Sequence, residues 1–181
     1  MAELNLDDAR GYWRDLAAPA YEDFRREYQR DVSPKQNLLL VYRRLICASL
    51  MLNHQADKVA GLHGKDWTGN RFMDLVAELD FVLGYELHAC RLFANDAKHD
   101  MKRIHEASTR PREAAYDETG EFPVLVINML SVDGRRLSDM CRIVGQAWKF
   151  WISYFDGSGV LSYHAARIAQ LGAKTSSTGS S

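Results

Sequence analysis

Apolar residues recur at helical spacing along most of this chain. Between residues 35 and 60, Leu38, Val41, Leu45, Ala48, Leu52 and Val59 fall near one face. Leu39, Tyr42, Ile46 and Leu50 widen that face, so the pattern predicts a central, heavily buried helix. Ser33-Pro34-Lys35-Gln36 reads as its start, with Ser33 as cap, Pro34 in the first turn and Gln36 completing a capping box. Gly61 and Gly64 read as its end. Upstream, Tyr21, Phe24 and Tyr28 form a shorter helical stripe, and Pro19 divides that region into a helix to about Ala17 and another from about Ala20. The aromatic residues there, Tyr12 and Trp13 included, are expected to pack on the rest of the domain, an exposed dimer surface being the alternative.

Residues 63–70, HGKDWTGN, form a polar, glycine-containing loop that lacks the spacing of a nucleotide-binding loop. Thr68 or Asn70 can cap the next helix. Phe72, Leu75, Val76 and Leu79 continue the pattern, followed by Val82, Leu83, Leu87, Cys90 and Ala94, with a bend or break expected at Gly84. The second half of this run, Glu86 to Ile104, reads as one helix. Helical spacing stops from Ala107 to Gly120, where a loop with a short strand around Glu113 to Tyr116 is expected. Phe122 to Leu130 is rich in β-branched residues and is followed by the turn signal Val132-Asp133-Gly134. Leu137 to Phe155 returns to a wide apolar helical face.

A weak helical stretch covers 160–171. The sum is a mainly α fold, a helical bundle of about five to six helices with a small β-hairpin inserted before the last core helix. Residues 1–172 read as one domain and 173–181 as a disordered, low-complexity tail.

A formal net charge of -1 gives no general attraction to nucleic acid or to an anionic membrane, so any RNA or phosphate binding requires a local patch. Cys47, Cys90 and Cys141 each lie in an apolar helical stretch and none belongs to a paired motif. Neither a metal site nor a disulfide framework is expected, and no cofactor is implied. The opening MAELNLDD lacks a basic-then-apolar signal, and no apolar run approaches the roughly 20 residues that cross a bilayer. A cytoplasmic protein without a membrane segment is the expectation.

The candidate chemistry lies in one helix. Arg91, Asn95 and His99 are four residues apart and stack along a face, with Lys98 beside them and Lys102 one turn beyond. A metal-independent ribonuclease needs a group to take the 2′-hydroxyl proton, one to protonate the leaving oxygen, and a cation for the developing charge. His99 can serve as acid or base, Arg91 can hold phosphate and Asn95 can orient either. Lys98, Lys102, His54 and Asp57 are candidate binding residues. His54 and Asp57 form an i, i+3 pair able to hydrogen-bond on the preceding core helix. One helix gives one histidine, so the second catalytic group must come from His54 or from a second subunit. The same stripe also fits a solvated helix end matched to the dipole. A third option, Cys90 as nucleophile with His88 or His99, is poor because Cys90 lies on the apolar side.

The segment RLFANDAKH resembles the signature helix of the HEPN superfamily of α-helical domains, which carries an arginine, a polar residue and then a histidine. ANDAKH is similar to a branch in which such a helix precedes a small hairpin and a final aromatic-rich helix, an order matched by FPVLVINML and LSDMCRIVGQAWKFWISYF. LNHQADKV, on an earlier helix, fits the histidine and aspartate of that branch. The resemblance covers about 35–155 and implies a domain of toxin–antitoxin or defence systems, many of which are dimeric, metal-independent ribonucleases. Seven residues separate Arg91 from His99, and Leu92 follows the arginine. Two readings therefore stand: a ribonuclease or an RNA-, nucleotide- or phosphate-binding protein, and a non-catalytic helical module that binds a protein partner or its own copy.

Overall fold

The longest element is α3, Lys35–His63, and the bundle is assembled around it. Its 29 residues span about 44 Å. Val41, Leu45, Ala48, Ala56, Val59 and Ala60 are fully buried along it, as the three-and-four spacing requires. The face is narrower than expected at its start, since Leu39 is exposed and Tyr42, Ile46 and Leu50 are only half-buried. The computed structural model describes residues 7–99, 104–110, 124–130 and 137–156.

Four further helical elements pack around α3. The N-terminal segment runs as α1 (Ala9–Tyr12), a single π turn (Trp13–Ala17) and α2 (Ala18–Tyr28) without a break. Asp8 caps it by accepting from the Gly11 N–H at 2.9 Å. Pro19 therefore does not divide the segment as its ring would in a regular helix. It stands in the first turn of α2, directly after the wider turn in which the Ala18 N–H reaches back to the Trp13 carbonyl. That turn takes in Asp15, the residue whose carbonyl the proline ring would otherwise meet. Tyr12, Trp13 and Phe24 are buried. Trp13 stacks on Phe155 at 5.6 Å and Tyr21 on Trp148 at 4.6 Å, so the aromatic stripe packs on the domain rather than forming an exposed dimer surface.

The start of α3 also differs from its sequence signal. Pro34 is extended (φ -70°, ψ 126°) and outside the helix, with no side-chain cap. The preceding turn is closed by Asp31, whose carboxylate accepts from the Ser33 N–H at 2.9 Å and whose carbonyl accepts from the Asn37 side chain at 2.8 Å. At the other end, Gly64 takes φ 135° and stops the helix, while Gly61 remains inside it.

α4 (Gly69–Leu79) is capped by Thr68, which accepts from the Arg71 N–H at 3.3 Å. The break before α5 (Phe81–Lys98) falls at Asp80, not at Gly84. Asp80 is extended, and its carboxylate accepts from the Leu83 N–H at 3.0 Å, a cap that outweighs the local preference for continuing the helix. Gly84 serves packing: a Cβ there would run into Ala77, within 2.6 Å of its backbone nitrogen.

The expected small antiparallel hairpin before the last core helix is present. Ile104–Arg110 forms β1, Val124–Leu130 forms β2, and a third short strand, Leu137–Asp139, completes an antiparallel sheet in the order β1-β2-β3. Ile104 thus belongs to a strand rather than to the preceding helix. The β-branched run in 122–130 made β2 legible, whereas β1 (IHEASTR) gained its strand conformation by pairing with it, Thr109 opposite Leu125 and Ser108 opposite Val126. Glu113–Tyr116, the helical stretch 160–171 and the tail 173–181 lie outside the described residues. Ile127 is buried and Ser138 hydrogen-bonds Tyr85 of α5 at 3.1 Å, which seats the sheet on the helices.

α6 (Met140–Asp156) closes the core, with Asp139 accepting from the Cys141 N–H at its first turn. Met140, Ile143, Val144 and Trp151 are fully buried, and Trp151 stacks on Phe72 of α4 at 5.6 Å. Buried residues from α1 through α6 join in one hydrophobic core.

Candidate functional site

α5 buries Leu87, Cys90, Phe93 and Ala94, which turns Arg91, Asn95 and the Lys98–His99 end toward its flanks. Arg91 is the most constrained of these. Its Nη1 donates to Asn53 Oδ1 at 3.1 Å and to Asp57 Oδ1 at 3.2 Å, both on α3. Asp57 Oδ1 also accepts from the Gly69 N–H at 3.1 Å, at the first residue of α4. Three helices meet at one carboxylate oxygen. A Cβ on residue 69 would stand against that oxygen and 2.8 Å from Arg91 Nη1, so only glycine admits the junction.

The arginine points away from the histidine it was expected to work with. Near the C-terminal end of α5, Asp96 lies close enough to Tyr42 to add to the effect of burial in pushing that phenol up. Farther back, Arg91 meets Asn53 and Asp57. As α3 runs from 42 to 57, α5 therefore runs from 96 back to 91, so the two helices are antiparallel. The Arg91 guanidinium reaches toward the C-terminal half of α3, whereas His99 lies in the other direction, about 12 Å along the axis. His99 closes α5, its N–H donating to the Asp96 carbonyl at 3.2 Å, and both Lys98 and His99 are exposed. Asn95 is half-buried between the two ends. Lys102 lies outside the described residues.

The expected pairing of His54 with Asp57 is replaced by other partners. Asp57 is held by Arg91 and Gly69, and the exposed His54 ring meets Tyr12 edge-on at 5.3 Å. Lys58 lies 5.7 Å from the same Tyr12 ring. The Tyr12 hydroxyl donates to Met51 Sδ at 3.1 Å. Burial first, then the nearby Cys47 and Asp57, push the Tyr12 phenol up to about 12, so it stays protonated. The candidate residues thus fall into two groups: Arg91, Asp57 and His54 around the middle of the bundle, and Lys98 with His99 at the tip of α5.

Asn53, which accepts from Arg91, and Gly69, whose missing Cβ leaves it room, are neighbours of Arg91 that apolar spacing does not single out. Their signal is present: Asn53 and Asp57 are four apart on α3, and a glycine opens α4 directly after a loop. The cysteine option is closed by packing. Cys90 is buried and its thiol is pushed up to about 12 by desolvation, while His88 pairs with Asp74 at 2.9 Å. Among the described residues no three His, Cys, Asp or Glu side chains are grouped to hold a metal ion, and no helix is long and apolar enough to cross a membrane.

What the arrangement can do follows from its charges. Among the described residues only Nη1 of the five-donor Arg91 guanidinium makes side-chain hydrogen bonds, leaving the rest of a rigid fork for an anionic group. General acid–base cleavage within a single copy would need His99 and Arg91 around one phosphate, which their opposite directions oppose. Comparison with protein-family models, with curated proteins and with solved structures finds no match.

Proposed function

We propose that this chain is a HEPN-like helical domain that binds RNA along α5 and does not cleave it as a single copy. The supporting observation is the double hydrogen bond that fixes Arg91 on Asn53 and Asp57, with exposed Lys98 and His99 two turns farther along the same helix. A cation held rigid before its ligand arrives loses little conformational freedom on binding, and the Lys98 ammonium and the His99 ring at the helix tip extend the contact along a backbone. Resemblance to HEPN domains supplies the biological setting of this reading, a toxin–antitoxin or defence system.

The test is binding of labelled single-stranded RNA followed by fluorescence anisotropy, with the products resolved after incubation in EDTA. Intact RNA, together with weaker binding by Lys98→Ala and His99→Ala and a steeply salt-dependent affinity, supports the reading. Cleavage in EDTA that vanishes in His99→Ala would replace it with the ribonuclease reading, in which a second copy supplies the missing catalytic group. Binding unchanged by all α5 substitutions would overturn it.

A second reading is favoured by a separate observation. Phe81 and Val82, consecutive at the start of α5, are 76% and 65% exposed, unusual for adjacent large apolar residues. As a non-catalytic interaction module the domain would dock a protein partner, or its own copy, on this corner. Phe81→Ser would then abolish the complex or the dimer seen by analytical ultracentrifugation, with RNA binding absent in the parent protein.

A further inference from the structure

The loop that joins α3 to α4 carries chemistry that the α5 reading does not use. Gly64 turns the chain at φ 135°, the Trp67 N–H donates to the Gly64 carbonyl at 3.2 Å, and Thr68 starts α4. This tight turn sets the Trp67 indole beside the His63 ring, with centroids 4.9 Å apart. In the first turn of α4, the Arg71 guanidinium lies over the Trp67 ring, 4.6 Å from its centroid. Arg71 and Lys65 are exposed, Trp67 is half-buried, and the exposed Asp66 stands between them in sequence. Among the described residues neither Arg71 nor Lys65 is ion-paired with a carboxylate, unlike Arg14, Arg26, Arg30, Arg44, Arg91 and Arg142.

This stack adjoins the junction described above. Gly69, which lies between Trp67 and Arg71 in sequence, is the residue whose missing Cβ makes room for Arg91. A guanidinium over an indole, with an exposed lysine two residues before that indole in sequence, has the composition of a site for a stacked base and its phosphate. Unpaired bases stack on aromatic rings and on guanidinium planes alike, and this contact tolerates any base because every base has a π-face.

We propose that the Trp67–Arg71 stack is a platform for one unpaired base of single-stranded RNA, with Lys65 beside it to take the adjoining phosphate. The proposal rests on the RNA-binding reading of α5 and adds a requirement to it: the ligand is single-stranded at this point. Base-paired RNA, whose faces are already covered, cannot use the platform.

The experiment measures binding of a short labelled single-stranded RNA, the same strand with one abasic position moved along it, and the corresponding duplex. The protein is the full chain, as wild type, Arg71→Ala, Trp67→Leu and Lys98→Ala. Arg71→Ala and Trp67→Leu are expected to weaken single-strand binding by roughly tenfold or more, and duplex binding hardly at all. At one abasic position the wild type should lose a similar factor, and the two variants should lose nothing further. Since Trp67 is partly built into the fold, the exposed Arg71 provides the variant that cannot fail for lack of folding. Single-strand binding weakened by Lys98→Ala but unchanged by both platform variants would overturn the platform and leave the α5 reading in place. If wild type binds no RNA at all, both are overturned. Equal losses on single strand and duplex would also overturn the platform, since the stack would then be reading charge alone.

Discussion

Arg91 of α5 and Asp57 of α3 are joined at 3.2 Å, and the Asp57 oxygen that receives the guanidinium also receives the first N–H of α4. One carboxylate thereby orders three helices that are separate in sequence. It also decides which way the arginine faces.

The pair should be measurably coupled. The Asp57 side chain is 40% exposed and that of Arg91 19%, so screening reduces the ionic part and the hydrogen bonds carry most of the effect. In a double-mutant cycle of Asp57→Ala and Arg91→Met, urea unfolding should give a coupling of about 1 kcal/mol. Strict additivity of the two substitutions would show that the junction does not hold the helices.

Two glycines in helices should respond oppositely to the same substitution. Gly84→Ala forces a methyl group against the backbone of Ala77 and should cost about 1–3 kcal/mol, with no rescue by Ala77→Gly because backbone atoms are part of the clash. Among the described residues Gly61→Ala meets nothing within 4 Å in α3, and it should stabilise by about 0.5–1 kcal/mol. Thermal or urea denaturation of the two variants checks both signs, and equal effects would contradict the packing of α4 on α5.

His63 should make stability depend on pH. Burial against Trp67 and Phe72 lowers its pKa from the ordinary 6.5, and among the described residues its shielded Nε2 has no hydrogen-bond partner. The unfolded chain therefore binds this proton more readily than the folded one. Its contribution is fully present above the ordinary imidazole range and is lost as pH falls below it. His63→Gln should flatten the pH dependence of the urea midpoint in that window. An unchanged slope would mean that the ring is solvated.

Much of the architecture could be read from apolar spacing. The buried faces of α3 and α6 followed directly, because a period of three and four residues can be buried on one side only as a helix. The strand β2 was legible from its β-branched run, and the inertness of Cys90 from its place on an apolar face. Where two local signals competed, the outcome depended on contacts between elements. Asp80, not Gly84, separated α4 from α5, because a satisfied cap terminates a helix more decisively than a glycine weakens one, and Gly84 is used instead for the approach to Ala77. Ile104–Arg110 showed no strand pattern and became one through its partner strand.

Although α5 ends at Lys98 and His99 only closes it, the chain alone placed Arg91 and Asn95 on one side of a helix, since four-residue spacing sets them on neighbouring turns. It could not fix what each side chain reaches. A long guanidinium takes its direction from whichever carboxylate lies nearest, and here that group is Asp57, 34 residues away in sequence and brought close only by the antiparallel docking of α3 and α5. Spacing along one helix is a local property of the backbone, whereas the partner of a charge is a property of how helices pack.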